Sequence, residues 1–151
     1  MKIKMELEKE LEDFTHIIKI PIRYNDMDTF GHVNNKAYLS YLEEARIDFH
    51  KKVFNWNGKL EFNAVVAKIE INYLKPVFYG DTLYAYTRLS NIGNKSFEIT
   101  TVFVVEKTDS KLIKVSDSKV VLVTIDLKTG KTAIISETER EKLEPLLNSK
   151  S

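Results

Sequence analysis

At 151 residues the chain has the length of one domain, large enough to bury a core without disulfide or metal staples. Its 43% hydrophobic and 30% charged residues are those of a soluble globular protein, and 23 Lys+Arg against 22 Asp+Glu leave a net charge of +1, which removes the electrostatic footprint of a nucleic-acid binder. The count of zero cysteines excludes disulfides, thiolate zinc sites and cysteine nucleophiles, and it fits a cytoplasmic location.

The first residues, MKIKMELEKELED, mix both charge signs and lack the apolar middle of a signal peptide. No apolar run reaches the ~20 residues of a membrane span, so no membrane association is expected. Ile3, Leu7 and Leu11 recur every four residues, which favours a short charged helix over 2–12 against a frayed end. FTHIIKIPIRY, from Phe14 to Tyr24, is isoleucine-rich and partly alternating, the pattern of a strand. Pro21 has no N–H to give a ladder, which places that strand at an edge or at a bulge.

Asn25 to Asn34 is a loop, in which Gly31 permits a backbone angle other residues avoid. Asn34 is a suitable N-cap for a helix over Asn35 to Val53. Tyr38, Tyr41, Leu42, Ala45, Phe49 and Val53 form one apolar stripe along that helix, which at 1.5 Å per residue is ~28 Å long. Phe54 to Asn63 is turn-rich, with Asn55, Asn57 and Gly58 as markers.

Strands are then predicted over Ala64–Leu74, stopped by Lys75-Pro76, over Asp81–Ile92, and over Ser96–Lys107 after a Gly93-Asn94 turn. A further strand covers Leu112–Leu127, with an irregular early portion. Lys128–Lys131 turns the chain, and Ser136 caps a final helix near 136–147, with Glu139 as capping-box partner and Pro145 limiting the last turn. Strands joined by tight turns are antiparallel. One sheet and one dominant amphipathic helix must bury their apolar faces on each other. The prediction is therefore a single α+β domain over 1–151, with a core near 14–135: a curved antiparallel sheet wrapped around one long central helix.

The run Tyr24-Asn25-Asp26-Met27-Asp28-Thr29-Phe30-Gly31-His32-Val33-Asn34-Asn35, followed by Tyr38, Tyr41, Glu43, Ala45 and Arg46, resembles the hot-dog-fold acyl-CoA thioesterases of the 4-hydroxybenzoyl-CoA thioesterase-like family. Tyr73, Pro76, Gly80, Asp81 and the Asp126–Gly130 turn extend the resemblance across roughly residues 14–135. It implies a hot-dog fold, an acyl-CoA substrate, no cofactor, and a homodimer with its sites at the subunit interface, paired in some members into a homotetramer. It also implies that Asp28 is the catalytic carboxylate and that the backbone N–H of Asn35 polarises the thioester carbonyl. Gly31, Val33, Asn34 and Tyr38 become candidate substrate contacts.

The chemistry has a physical basis. The first residues of a helix leave four N–H groups without intrahelical partners, and the macrodipole adds about half a positive charge there. A carboxylate folded back beside a carbonyl held at that end could attack it, giving a mixed anhydride, or deprotonate a water. Against this, an aspartate before a helix is commonly a loop hydrogen-bonder. Asp26 is better placed for that structural role, bonding loop backbone or pairing with Arg23 or Arg46. His32 is either a water- or substrate-orienting group or a backbone-bonded loop histidine. His16 and His50 are expected on the surface or a strand face. The three histidines lack metal-ligand spacing, so no metal is expected. Tyr38, Tyr41 and Leu42 sit at core spacing as much as at pocket spacing, and Glu43 is expected to pair with Arg46. Lys95, Arg88, Lys128 and Lys131 are candidates for coenzyme A phosphates. Two other readings remain open: an acyl-thioester binding protein without catalysis, and a hot-dog enoyl-thioester hydratase with His32 as base.

Overall fold

The computed structural model describes residues 2–56 and 63–147, the side chains of 2–5 excepted, so the predicted Asn57-Gly58 turn lies outside the described residues. The elements follow the order α1 (Lys2–Leu11), β1 (His16–Ile20), α2 (Ala37–Phe54), β2 (Ala64–Tyr73), β3 (Thr82–Ile92), β4 (Ser96–Glu106), β5 (Leu112–Thr124) and α3 (Glu137–Leu147). The five strands form one antiparallel sheet in the order β1-β3-β4-β5-β2.

The strand faces explain the layering. Along β3, Leu83, Ala85, Thr87 and Leu89 are buried and alternate with half-exposed Tyr84, Tyr86, Arg88 and Ser90. Leu83, Ala85 and Leu89 join Phe97, Ile99, Phe103 and Val105 of β4 and the Tyr38, Tyr41, Leu42, Ala45 and Phe49 stripe of α2 in a single core. β4 is buried on its other face too, where Val102 and Val104 lie beneath Leu7 and Leu11 of α1. The predicted N-terminal helix therefore covers the outer face of the sheet, and a Glu10–Lys114 ion pair of 2.7 Å ties it to β5.

Several boundaries differ from expectation for local reasons. β1 spans only His16–Ile20, because Pro21 supplies no ladder donor; it is the edge strand its proline demands. Phe14 instead packs edge-on against Tyr86, with the Arg88 guanidinium 5.5 Å over its ring. The irregular start of β5 is a bulge: Lys114 pairs with Val104 and Ser116 with Phe103, leaving Val115 extra. The Val115 carbonyl accepts from the N–H groups of Leu74 and Lys75, which fixes the chain as β2 ends before Pro76. Asn55 closes α2 in the left-handed region at φ 54°. Ser136 caps α3 by accepting from the Glu139 N–H at 3.1 Å, and its hydroxyl donates to the Glu139 carboxylate at 2.8 Å. Pro145 does not shorten α3, which runs to Leu147.

His50 corrects the sequence reading. It is not on the surface but 3% exposed, with its ring stacked on Phe54 and edge-on to Phe97 and Phe49. α2 sinks so far onto the sheet that burial spreads from the Phe49 stripe to the next helical position. Burial, reinforced by the nearby Arg46 charge, pushes the His50 pKa down to about 3. His16, half-buried on β1 with its ring 4.9 Å from that of Phe49, is shifted down as well, chiefly by burial. A histidine lowered in the folded state binds a proton more readily when unfolded, so its stabilisation holds above pH ~6.5 and is lost as pH falls towards the folded value. Between pH 6.5 and 5 His50 is expected to remove about 2 kcal/mol of stability. NMR titration should show its ring neutral down to pH 5; a ring that protonates near pH 6.5 would contradict the burial argument.

Candidate active site

The loop between β1 and α2 is held by its own acidic side chains. Tyr24–Asp26 forms a 3-10 turn. The Asp26 carboxylate accepts from the Arg23 N–H at 2.9 Å and from the Tyr41 hydroxyl at 2.6 Å, while its carbonyl accepts from the Asn34 N–H at 2.7 Å. Asp26 thus bonds loop backbone as expected, but its side-chain partner is Tyr41 of α2 and not an arginine. Burial, then the Asp26 contact, drives the Tyr41 hydroxyl pKa upward, so it remains a donor. Arg46 pairs with Glu43 at 3.8 Å, as predicted.

Asp28 organises the loop tip. Its Oδ1 accepts from the N–H groups of Phe30 (2.9 Å) and His32 (3.1 Å), and its own N–H donates to the His32 carbonyl at 2.7 Å. Gly31 stands at φ +81°, which lets the chain reverse inside this ring of bonds. The Val33 N–H donates to the Val77 carbonyl at 2.7 Å, tying the loop to the segment before β3. The blander role of Asp28 as a loop hydrogen-bonder is therefore real, but it uses Oδ1 alone. Among the described residues no donor is assigned to Oδ2.

α2 begins at Ala37, two residues later than predicted, because a turn intervenes. The Asn34 carbonyl accepts from the Ala37 N–H, and the Asn34 Oδ1 accepts from the Lys36 N–H, both at 2.9 Å. The N-cap is therefore Lys36, without a side-chain cap bond, and Asn34, predicted as the N-cap, instead closes an Asx turn just ahead of the helix. Immediately before these satisfied amides comes the Asn35 N–H, which meets no acceptor among the described residues.

Asp28 and Asn35 line one cleft of about 240 Å³ together with His32, Val33, Tyr38, Tyr73, Leu74, Lys75 and Pro76. Five residues singled out from the sequence, Asp28, His32, Val33, Asn35 and Tyr38, are thereby brought together. Gly31 is not part of the cleft lining, and Asn34 lines a separate concavity with Asn25, Asp26, Lys36, Ala37 and Ser40. Arg88 lies on the outer face of the sheet, in a third cleft with Glu10, Asp13 and Lys114. The cleft's far wall, Tyr73 to Pro76, is read from the sequence as the end of a strand and as part of the family resemblance, but not as part of the site.

The cleft is aromatic and half polar. The His32 ring stands edge-on to Phe78 with centroids 5.1 Å apart. Tyr38 meets Tyr73 edge-on at 5.0 Å, and the Tyr73 hydroxyl donates to the Asn35 carbonyl at 3.3 Å. Burial, with a smaller effect of Tyr73, pushes the Tyr38 pKa up to about 12, so its hydroxyl stays protonated. Among the described residues no group of His, Cys, Asp or Glu is placed to hold a metal, and no helix is long and apolar enough to cross a membrane. A carboxylate and a helix-mouth amide lining one half-polar cleft can hold a carbonyl by its oxygen and deliver base or nucleophile to its carbon.

Comparison with known proteins bears on this geometry. A family model described as the thioesterase-like superfamily matches residues 22–143. The long-chain acyl-CoA thioesterase FadM of Escherichia coli (strain K12) is 34% identical over 131 residues, spanning 85% of this chain and 97% of that protein. A thioesterase from Thermus thermophilus, crystallised with coenzyme A and Zn, superposes with a TM-score of 0.77 at 29% identity, covering 91% of this chain and 98% of that one. A mutant 4-hydroxybenzoyl CoA thioesterase complexed with 4-hydroxybenzoyl CoA shares the fold, with a TM-score of 0.73 at 14% identity over 85% of this chain and 98% of that one.

Proposed function

The chain belongs to the thioesterase-like superfamily, and on that footing we propose that it hydrolyses an acyl-CoA thioester to free acid and coenzyme A in the cleft between Asp28 and Asn35. The carrying observation is that one oxygen of the Asp28 carboxylate is consumed by the loop while Asp28 lines the same cleft as Asn35. The thioester oxygen accepts from the Asn35 N–H, a donor of a kind worth about 2.7–4 kcal/mol to a tetrahedral oxyanion. The Asp28 carboxylate then acts on the carbonyl carbon in one of two ways: it attacks directly, expelling the coenzyme A thiolate and leaving a mixed anhydride that water hydrolyses, or it takes the proton of an attacking water, after which the tetrahedral intermediate expels the thiolate with that proton. Tyr38 offers a protonated hydroxyl to the bound acyl group, and His32 orients water or substrate from the loop side.

The working enzyme is proposed to be one cytoplasmic domain acting in lipid metabolism as a homodimer or a homotetramer. β2 supports the assembly: it is a sheet edge carrying exposed Val65, Val66 and Ile69, an arrangement single chains ordinarily avoid. The test is a panel of acyl-CoA substrates with thiol detection, alongside sedimentation. Turnover dependent on acyl chain and a mass of at least two subunits are expected. Tight binding without released thiol would favour a binding protein, and a single-subunit mass would contradict the assembly.

A further inference from the structure

The amide proposed to hold the thioester oxygen is useful only if its direction is held, and side chains from two different elements restrain the backbone beside it. The neighbouring peptide, linking Asn35 to Lys36, is bonded at both ends. Its carbonyl, on Asn35, accepts from the Tyr73 hydroxyl at 3.3 Å. Its N–H, on Lys36, donates to the Asn34 Oδ1 at 2.9 Å. The Asn35 N–H itself belongs to the preceding peptide, whose carbonyl, on Asn34, accepts from the Ala37 N–H at 2.9 Å. With a bonded peptide on each side, rotation about the Asn35 backbone is restricted.

Tyr73 is suited to this from outside the helix. It ends β2, immediately before the Leu74 and Lys75 amides that the bulged Val115 carbonyl anchors. Its ring is braced edge-on by buried Tyr38, whose ring packs in turn on Phe103 of β4 at 5.8 Å. The sheet therefore reaches the mouth of α2 through one hydroxyl. Tyr73 is itself 46% exposed, so its contribution to folding is small, and its position in the cleft is not explained by packing alone.

We propose that Tyr73 is a positioning residue for the reaction: by donating to the Asn35 carbonyl it aims the Asn35 N–H at the thioester oxygen. The proposal rests on the reading of the Asn35 amide as the carbonyl's donor. It concerns the transition state more than ground-state binding, because a loosely held donor still accommodates substrate but no longer follows the shifting oxyanion.

Tyr73→Phe keeps the ring and removes the hydroxyl. It is expected to lower kcat about tenfold, with KM within about twofold, since small misalignments of this kind are costly to rate. The melting temperature should be unchanged. Tyr73→Leu, which removes ring and hydroxyl, should lose at least as much rate. Asp28→Asn is measured in the same assay as a control on the underlying reading. Full kcat in Tyr73→Phe beside an inactive Asp28→Asn would overturn the positioning role and leave that reading standing. So would a loss confined to Tyr73→Leu, which would assign the effect to ring packing, or a rise in KM that accounts for the whole change. An active Asp28→Asn would place the failure in the reading of the site, and the positioning role would fall with it.

Discussion

Asp28→Asn is expected to lower kcat/KM for an acyl-CoA by about 10³-fold, a typical loss for a carboxylate that serves as base in the transition state. The substitution is chosen on geometry. The Asp28 Oδ1 accepts from the Phe30 and His32 N–H groups, and an asparagine carbonyl oxygen takes over both bonds. What is lost is the charge and the acceptor character of Oδ2, the atom left for chemistry. Loop and helix mouth should therefore persist, with a melting temperature close to that of the parent protein. Asp28→Ala would be the poorer experiment, because it removes the two loop bonds and confounds rate with structure. A tenfold or smaller loss in Asp28→Asn would move the chemistry elsewhere, with His32 the first alternative in the same cleft.

Phe103→Ala is expected to cost about 3–5 kcal/mol of stability, as aromatic deletions in packed cores do. Phe103 is completely buried on the inner face of β4, a strand paired on both sides. Its ring meets Tyr38 at 5.8 Å and Tyr41 at 6.4 Å, so it joins sheet to helix one turn below the cleft. No neighbouring side chain can close the void, because strands on either side hold the backbone in place. At ~2–4 °C per kcal/mol for a domain of this size, the melting temperature should fall by roughly 10 °C. Activity measured well below the transition should fall too, since Tyr38 braces Tyr73. A loss under about 1 kcal/mol would show that the core relaxes around the deletion and that Phe103 is not the join described.

Much of this architecture is written in short-range pattern. The stripe from Tyr38 to Phe49 announced the central helix because its period is helical, and Lys75-Pro76, Gly93-Asn94 and Lys128–Lys131 marked strand ends because turns have strict local requirements. Pro21 announced an edge because a missing donor is a property of one residue. His50 was misjudged because its burial comes from how deeply α2 lies on the sheet, a distance no helical wheel encodes. The length of β1 was overestimated because isoleucine content signals a strand without saying where pairing partners run out.

The site divides in the same way. Asp28, His32, Val33, Asn35 and Tyr38 fall within eleven consecutive residues, so one motif brings them together. The opposing wall, Tyr73 to Pro76, reaches the cleft because of the Val115 bulge some forty residues further on, a long-range fact. Asn34 illustrates the limit of a motif: it adjoins Asn35 in sequence, yet its side chain serves the Lys36 amide and lines a different concavity.

The most direct test is a crystal structure with a coenzyme A ketone analogue, in which methylene replaces the thioester sulfur and the carbonyl survives. The carbonyl oxygen should lie about 3 Å from the Asn35 nitrogen, with an Asp28 carboxylate oxygen either about 3–3.5 Å from the carbonyl carbon or linked to it through one water. A carbonyl bound instead in the concavity of Asn25, Asn34, Lys36 and Ser40, out of reach of Asp28, would contradict the account.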